Sequence, residues 1–253
     1  MRPDLSVREA RARELMDDPA ADERMLERTY ALFPAVNAVV SGWRGVYRRE
    51  IRPLAGRGTL RVLDVGTGGG DVARALARRL QRDGCDARVT GLDVDARAIR
   101  WASTQQASSP VRWVRASTSD LVREGAVFDV VLSNHVLHHL SSGELRTVLD
   151  DSLRLTAPGG VVLHSDIARS RAAYALFAAA TWPFARTLLA GSFIRPDGLT
   201  SIRRAYTAGE LAAAAGEGWR VESRMPFRLL LTARRAEAPR TGSARREDGD
   251  AHG

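Results

Sequence analysis

The 253-residue sequence contains no lysine, one cysteine and few aromatic side chains. A lone Cys85 excludes an internal disulfide, which is typical of a protein in a reducing cytoplasm. Aromatic residues are 6% of the chain, and the arginines behind its formal charge of +8 alternate with Asp and Glu. This pattern disfavours nucleic acid as a partner, because nucleic-acid sites concentrate positive charge and interleave aromatic side chains that stack on bases.

The N-terminus has no basic start followed by an apolar run and a small-residue cleavage site, so no secretory signal is expected. We therefore expect a cytoplasmic protein. The most apolar segment, residues 172–194, is long enough for a membrane span, but Pro183, Arg186 and Gly191 interrupt it. A central arginine costs about 2.5 to 3.5 kcal/mol on insertion scales. The segment is predicted to form a lid or pocket wall without a transmembrane segment, with shallow contact with a membrane surface as an alternative.

Residues 61–71 read Arg-Val-Leu-Asp-Val-Gly-Thr-Gly-Gly-Gly-Asp. A strand, a glycine loop and a helix start in this order predict a site for a nucleotide-like cofactor, because glycine permits close backbone approach and a helix start offers free N–H groups. The register 66–71 ends on aspartate, whereas 68–73 ends on alanine and fits a dinucleotide fingerprint. Asp64 favours S-adenosylmethionine over NAD, since its carboxylate would repel a pyrophosphate and attract an ammonium group. A tight turn without a ligand is the structural alternative.

Strands and helices alternate after this loop. Strands are predicted over residues 61–65, 88–92, 111–115, 128–133 and 161–166, with helices from Asp71, Asp95 and Ser141. This alternation predicts an α/β fold with a doubly wound, mostly parallel sheet covered on both faces. Residues 219–225 and 227–233 are close enough to pair as a C-terminal antiparallel hairpin, which gives seven strands.

Three regions are expected: an N-terminal helical cap over 1–57, an α/β domain over 58–235 with a helical lid insertion at 168–206, and a disordered tail over 236–253. The cap is predicted to be helical over residues 6–53, with breaks near Pro19 and Pro34. Gly56-Arg57-Gly58 is the expected hinge. The apolar contacts expected in the cap are Leu15, Met16, Met25, Leu26, Tyr30 and Phe33.

Two groups of polar residues follow predicted strands. Asp93 comes about 25 residues after the glycine loop, where a carboxylate can accept both ribose hydroxyls, whereas Asp95 suits a helix cap. His135, His138 and His139 follow the fourth strand, with spacings that place the first and last on one helical face.

One of these histidines is a possible general base, because a neutral imidazole is matched to taking a proton from a hydroxyl near pH 7. Packing or capping near the helix start is the alternative. We expect no metal site, since Asp129 lies at the opposite end of the strand.

With the glycine loop, residues 128–140 (Phe-Asp-Val-Val-Leu-Ser-Asn-His-Val-Leu-His-His-Leu) and 155–160 (Leu-Thr-Ala-Pro-Gly-Gly) form a recognisable set. The set resembles class I S-adenosylmethionine-dependent methyltransferases of the group that includes ubiquinone and menaquinone methylases, over roughly residues 60–166. Residues 13–19 and 195–204 also resemble actinobacterial methyltransferases of polyketide or quinone pathways. The resemblance implies the Rossmann-like sheet of that class.

The resemblance also implies roles for single residues. Asp64, Gly66 and Gly68 would hold the methionine end of the cofactor, Asp93 the ribose, and Asn134 would lie beside the methionine portion. Ser117 and Thr118 occupy the place where many relatives have an aspartate and a small residue that read the adenine amino group, so the sequence departs from the family there. The predicted cofactor contacts are Asp64, Gly66, Thr67, Gly68, Asp93, Val94, Ser117, Thr118 and Asn134.

The expected reaction is methyl transfer to a small-molecule substrate, most simply O-methylation of an aromatic, polyketide or quinone-like compound in secondary metabolism. The aromatic side chains of the lid segment are expected either to wall an apolar pocket or to pack in the core: Tyr174, Phe177, Trp182, Phe184 and Phe193. Methylation at carbon or nitrogen, and a catalytically idle cofactor-binding scaffold, are the alternatives. An NAD-dependent oxidoreductase is disfavoured, because a chain without lysine has no Tyr-x-x-x-Lys pair. The protein is expected to be a monomer or homodimer.

Overall fold

A computed structural model describes residues 3–56, 58–105 and 111–237, and it is built around one seven-stranded sheet. Its strands are β1 (Leu60–Val65), β2 (Ala87–Asp93), β3 (Val111–Arg115), β4 (Phe128–Asn134), β5 (Thr156–Ile167), β6 (Arg220–Arg224) and β7 (Arg228–Arg234). The order across the sheet is β3-β2-β1-β4-β5-β7-β6, and β7 is antiparallel to both of its neighbours. The predicted mostly parallel sheet with a C-terminal hairpin is confirmed.

Nine helices surround the sheet in the part of the chain described. They are α1 (Glu23–Val40), α2 (Trp43–Val46), α3 (Asp71–Arg82), α4 (Ala96–Thr104), α5 (Thr118–Arg123), α6 (Ser142–Leu155), α7 (Arg171–Thr181), α8 (Ile194–Arg204) and α9 (Ala208–Ala215). Capping boxes at Ser141 and Thr207 begin α6 and α9, as their sequences predict. A third capping box, at Ser117, begins α5.

The central strands are buried on both faces, as expected for a parallel sheet between helices. On one face, Val62 and Val130 pack with Leu76 and Leu80 of α3. On the other face, β-strand side chains including Leu63 join Leu121 of α5 and Leu155 of α6. This burial fixes the strand register, and the register places the ends of β1, β2, β4 and β5 along one edge.

The N-terminal region is less helical than its sequence pattern predicts. Residues 3–22 contain only the 3₁₀ turn Leu15–Asp17, and Leu15 is exposed instead of packed. In contrast, α1 runs through Pro34 without a break. The proline lies on the exposed side of α1, while Leu26 and Tyr30 bury the opposite side against Trp101 and Phe193, so packing maintains the helix despite one missing N–H donor.

The lid segment consists of α7, a 3₁₀ turn at Trp182–Phe184, a series of turns, and α8. No helix among the described residues is both long and apolar enough to cross a bilayer. Trp182 and Phe184 are exposed, whereas Phe193 is buried in the core, so these aromatic residues do not line one common pocket. Arg57 of the expected hinge and residues 238–253 of the expected tail lie outside the described residues.

Candidate active site

The glycine loop joins β1 to α3 at the carboxyl edge of the sheet. Gly66, Gly68 and Gly70 have φ angles of 64°, 52° and 75°, a region that favours glycine. A Cβ atom on Gly66 would lie 2.6 Å from Val136, so the space beside this glycine is also restricted. The backbone N–H of Gly68 donates to Asp93 Oδ2 over 2.8 Å. This hydrogen bond fixes the glycine loop to Asp93 at the end of β2.

Three carboxylates flank this loop. Asp64 is buried and accepts a hydrogen bond from Thr67 Oγ1 at 2.8 Å. Burial raises the pKa of Asp64 to about 7, with a further contribution from the charges of Asp71 and Asp93. Burial also raises the pKa values of Asp71 and Asp93. This negative potential suits a ligand with positive groups and would oppose a pyrophosphate.

A chain of hydrogen bonds through two asparagine side chains links the N-terminal cap to the same edge of the sheet. Trp43 Nε1 donates to Asn134 Oδ1 at 3.0 Å, Asn134 Nδ2 donates to Asn37 Oδ1 at 3.4 Å, and Asn37 Nδ2 donates to Asp71 Oδ2 at 2.9 Å. Tyr30 of α1 packs closely on the glycine loop: a Cβ atom added to Gly69 would lie 2.9 Å from the Cβ atom of Tyr30. These roles of Asn37 and Trp43 are not predictable from the sequence, since no local motif marks either residue.

The three histidines lie together, but they are not on one helix as predicted. His135 has a left-handed backbone with φ of 58°, and a 3₁₀ turn spans Leu137–His139. The ring centroids of His138 and His139 are 4.3 Å apart, and those of His135 and His138 are 6.5 Å apart. The turn is fixed by Arg204, which donates to the backbone oxygens of His138 and His139. Compact turn geometry, not helical spacing, brings the rings together.

His138 is the most enclosed of the three. Its Nδ1 lies 2.6 Å from Asp166 Oδ1, and its Nε2 lies 3.3 Å from Glu14 Oε1. Burial disfavours a charged imidazole, but the two carboxylates outweigh burial and hold the pKa of His138 above its ordinary value. Burial would likewise raise the pKa of Asp166, but the adjacent His138 lowers it. In the absence of another cation His138 is therefore protonated near neutral pH and is a poor proton acceptor.

His139 and His135 differ in their partners. His139 Nδ1 lies 2.9 Å from Asp17 Oδ2, and its Nε2 lies 3.6 Å from Glu14 Oε2. His135 Nδ1 is 3.8 Å from Asp166 Oδ1, beyond hydrogen-bonding distance, and its side chain is 27% exposed. Burial lowers the pKa of His135 to about 4, so its imidazole is neutral near pH 7.

Comparison with known proteins identifies the family. A family model described as a methyltransferase domain matches residues 62–160. The chain is 31% identical over 204 residues to a ubiquinone biosynthesis O-methyltransferase of Rhizobium rhizogenes, covering 74% of this chain and 77% of that protein. The chain belongs to the class I S-adenosylmethionine-dependent methyltransferases.

Two further similarities are more limited. An uncharacterised methyltransferase of Mycobacterium tuberculosis is 41% identical over 105 residues, which is 42% of this chain and 49% of the relative, so the chain matches about half of that relative's length. The plantazolicin methyltransferase BpumL, solved with a triazolic desmethylPZN analogue and SAH, superposes with a TM-score of 0.58 at 11% identity, covering 88% of this chain and 93% of that one. This likeness shows the fold alone.

S-Adenosylmethionine is the cofactor of this methyltransferase family. The residues present fit it, because its sulfonium and ammonium groups are positive and the loop is flanked by Asp64, Asp71 and Asp93. Asp93 ends β2 beside the N–H of Gly68, and its binding of the ribose hydroxyls stays a prediction. Asn134 lies at the same edge, at the end of β4.

The adenine end of the predicted site is built differently from the methionine end. Ser117 Oγ donates to Asp120 Oδ2 at 2.7 Å within the capping box of α5, and Thr118 Oγ1 donates to Asp151 Oδ2 at 2.8 Å. Both hydroxyls therefore have partners within the methyltransferase itself. Val94, directly after Asp93, is 67% exposed. Contact between these three side chains and the cofactor stays a prediction.

Proposed function

We propose that this chain transfers the methyl group of S-adenosylmethionine to a hydroxyl oxygen of a small aromatic, polyketide or quinone-like molecule in the cytoplasm. The bound cofactor supplies an electrophilic methyl group. The chain's own residues must orient the acceptor, exclude water and receive the hydroxyl proton. The O-methyltransferase name of the rhizobial relative supports oxygen as the acceptor atom.

The observation that carries the proposal is the position of His135. It directly follows Asn134 at the carboxyl edge, and the next residue, Val136, packs on Gly66. Its φ of 58° is uncommon for a residue other than glycine and is held by an N–H bond to Ser165 O at 2.8 Å. Such a constrained backbone at the carboxyl edge of the sheet supports a functional role for this side chain.

His135 is also the histidine whose ring nitrogens make no hydrogen bond to another described residue. His138 is held between two carboxylates, and both ring nitrogens of His139 face carboxylates. The low pKa of His135 makes it a weak base in the free protein, but a bound S-adenosylmethionine would lose its positive charge on giving up the methyl group. Proton transfer to His135 in the same step keeps the net charge of the site constant, and Asp166 favours the resulting imidazolium.

The test is His135→Asn, because asparagine tolerates a positive φ and lacks a basic ring nitrogen. Methyl transfer to a panel of phenols and hydroquinones is expected to slow by roughly two to four orders of magnitude, while cofactor affinity stays nearly constant. Asp129→Asn is the control, since Asp129 lies at the opposite edge of the sheet, where it accepts from the backbone N–H of Arg61.

Mass-spectrometric mapping of the product completes the test. An O-methyl product with slow turnover in His135→Asn supports the proposal. A methyl group on carbon or nitrogen would overturn the assignment of oxygen. Full activity of His135→Asn would overturn the role of His135. Cofactor binding without any methylated product in an extract of the producing organism would favour the scaffold alternative.

A further inference from the structure

Glu14, His138 and His139 place three metal-ligating atoms around one point, all within 4.8 Å of one another. Glu14 comes from the N-terminal segment, whereas the two imidazoles come from the turn after β4. Oε1 and Oε2 of Glu14 lie 3.3 and 3.6 Å from the Nε2 atoms of His138 and His139, respectively. Adjacent ligands of a tetrahedral zinc ion are about 3.3 to 3.5 Å apart, given bond lengths of about 2.0 to 2.2 Å. Each distance joins a different carboxylate oxygen to one imidazole, and each is close to the ligand–ligand spacing of a formed site.

Each imidazole is oriented by a carboxylate on its other nitrogen. Asp166 lies 2.6 Å from Nδ1 of His138, and Asp17 lies 2.9 Å from Nδ1 of His139. A carboxylate at Nδ1 fixes the ring and directs Nε2 toward a metal, as in the carboxylate–histidine–zinc arrangement. Ser201 donates to Glu14 Oε1 at 2.8 Å and orients that carboxylate as well. The outer groups that support metal ligands are thus present for all three.

The interior of the cluster is poorly satisfied by hydrogen bonds alone. The side chains of Glu14 and His138 are 3% and 2% exposed. His138 Nε2 is buried and makes no hydrogen bond to any described residue, although it faces a carboxylate. Protonating both Nε2 atoms would place two imidazolium rings with centroids only 4.3 Å apart. A single cation between the three ligands would compensate the buried carboxylate without that repulsion.

We infer that Glu14, His138 and His139 bind one divalent transition-metal ion, for which Zn²⁺ is the matched probe. Two imidazoles and one carboxylate suit zinc or a similar transition metal and not calcium or magnesium, which prefer oxygen ligands throughout. His139 is 26% exposed, so an ion can reach the three ligands from solvent. The sequence predicts no metal site because Asp129 lies at the opposite end of β4 from the histidines. The carboxylate ligand inferred here is Glu14, which comes from the N-terminal segment.

The ion joins two parts of the chain that are far apart in sequence. It ties the segment before the Leu15–Asp17 turn to the end of β4, next to His135. Metal binding therefore holds the N-terminal segment against the sheet edge and stabilises the folded chain. This inference goes beyond the proposed methyl transfer and does not depend on it.

The experiment uses the untagged full chain after chelator treatment, with no cofactor or acceptor present. Zn²⁺ is titrated in competition with a chromophoric chelator, and thermal unfolding is recorded with and without the ion. We expect one ion per chain and a higher midpoint of unfolding. Glu14→Gln and His139→Ala each remove a ligand and should lower the affinity for Zn²⁺ by about 100-fold or more. This loss is larger than the one expected when only a carboxylate that orients a ligand is removed. His135→Asn, which removes a neighbouring imidazole outside the ligand set, should retain zinc.

Asp17→Asn keeps all three ligands and protects the test against a variant that fails to fold. It should weaken zinc binding by about 10- to 100-fold, with an unchanged circular dichroism spectrum. Absence of zinc binding to the wild-type chain, or equal affinity in Glu14→Gln, His139→Ala and wild type, would overturn the inference. Because zinc is measured without methyl transfer, an inactive protein that binds zinc at these residues contradicts the proposed function alone.

Discussion

Two neighbouring regions are built in different ways: the cofactor edge, which comprises Asp64, Gly68, Asp71 and Asp93, and the histidine cluster, which comprises Glu14, Asp17, His138, His139 and Asp166. At the cofactor edge, Asp64 contacts Thr67 three positions later, and Asp93 at the end of β2 contacts Gly68 of the glycine loop 25 positions earlier. In the cluster, Asp17 contacts His139 across 122 positions of the chain. Local sequence therefore specifies the first region, whereas the second exists only once the N-terminal segment has docked.

The two regions also differ in how their carboxylates are compensated. Asp64 and Asp93 have raised pKa values, because burial is not balanced by a cationic side chain. Glu14 and Asp166 are also buried, but hydrogen bonds and nearby histidines lower their pKa values. Asp64 and Asp93 of the cofactor edge thus form no ion pair with a cationic side chain among the described residues, whereas Glu14 and Asp166 of the cluster each face an imidazole.

The largest expected effect is at the ribose end of the cofactor edge. Asp93→Ala should reduce S-adenosylmethionine affinity by roughly 100-fold or more, because two hydrogen bonds to a charged acceptor contribute about 1.5 to 3 kcal/mol each. Isothermal titration calorimetry measures the change. Asp129→Ala, at the opposite edge, is the matched control and should bind as wild type does. Unchanged affinity in Asp93→Ala would contradict the comparison between the two regions.

A smaller effect is expected from pH, through Asp64. With its pKa raised to about 7, Asp64 loses its charge as the pH falls below 7, and with it the attraction for an ammonium group. Cofactor affinity should fall by up to tenfold per pH unit below pH 7. The stability of the cofactor-free protein should change in the opposite direction. Since the folded-state pKa lies above the unfolded value, the free energy of unfolding rises as the pH falls through 7 towards the unfolded pKa.

Asp64→Asn separates this titration from that of the ligand. The variant should bind S-adenosylmethionine weakly, and its affinity should no longer fall below pH 7. Any fall in affinity above about pH 8 should remain, because it comes from the α-amino group of the cofactor. Calorimetry across the pH range in both proteins gives the comparison. An identical acid limb in Asp64→Asn would assign the titration to another group.

Much of the fold is predictable because its signals are local. The start of α3 at Asp71 and the whole of β3 agree with the sequence pattern, since alternation and capping depend on neighbouring residues. The N-terminal segment is not predictable in this way. Its turn at Leu15 is held by Asp197, which accepts from the backbone N–H groups of Leu15 and Met16. A contact across 182 positions leaves no periodic pattern in the segment itself.

The same reason separates the predictable site residues from the missed ones. Asp93 can be selected from its spacing after the glycine loop, and the structure places it against Gly68. The role of Glu14 in the cluster cannot be read from spacing, since its partners lie after the fourth strand. For His135, the sequence predicts a helical face, but a positive φ redirects the chain there.

The smallest expected effect tests where the cofactor edge ends. Ser117→Ala removes the cap of α5, which should lower the free energy of unfolding by about 1 kcal/mol. Ser117 Oγ already donates a hydrogen bond to Asp120. S-Adenosylmethionine affinity should therefore change by less than about threefold, which is smaller than the loss expected on removing one hydrogen bond to a charged group. Chemical denaturation and calorimetry on the same variant report the two quantities separately. A tenfold loss of affinity with unchanged stability would show instead that the hydroxyl contacts adenine, and would extend the cofactor edge to the start of α5.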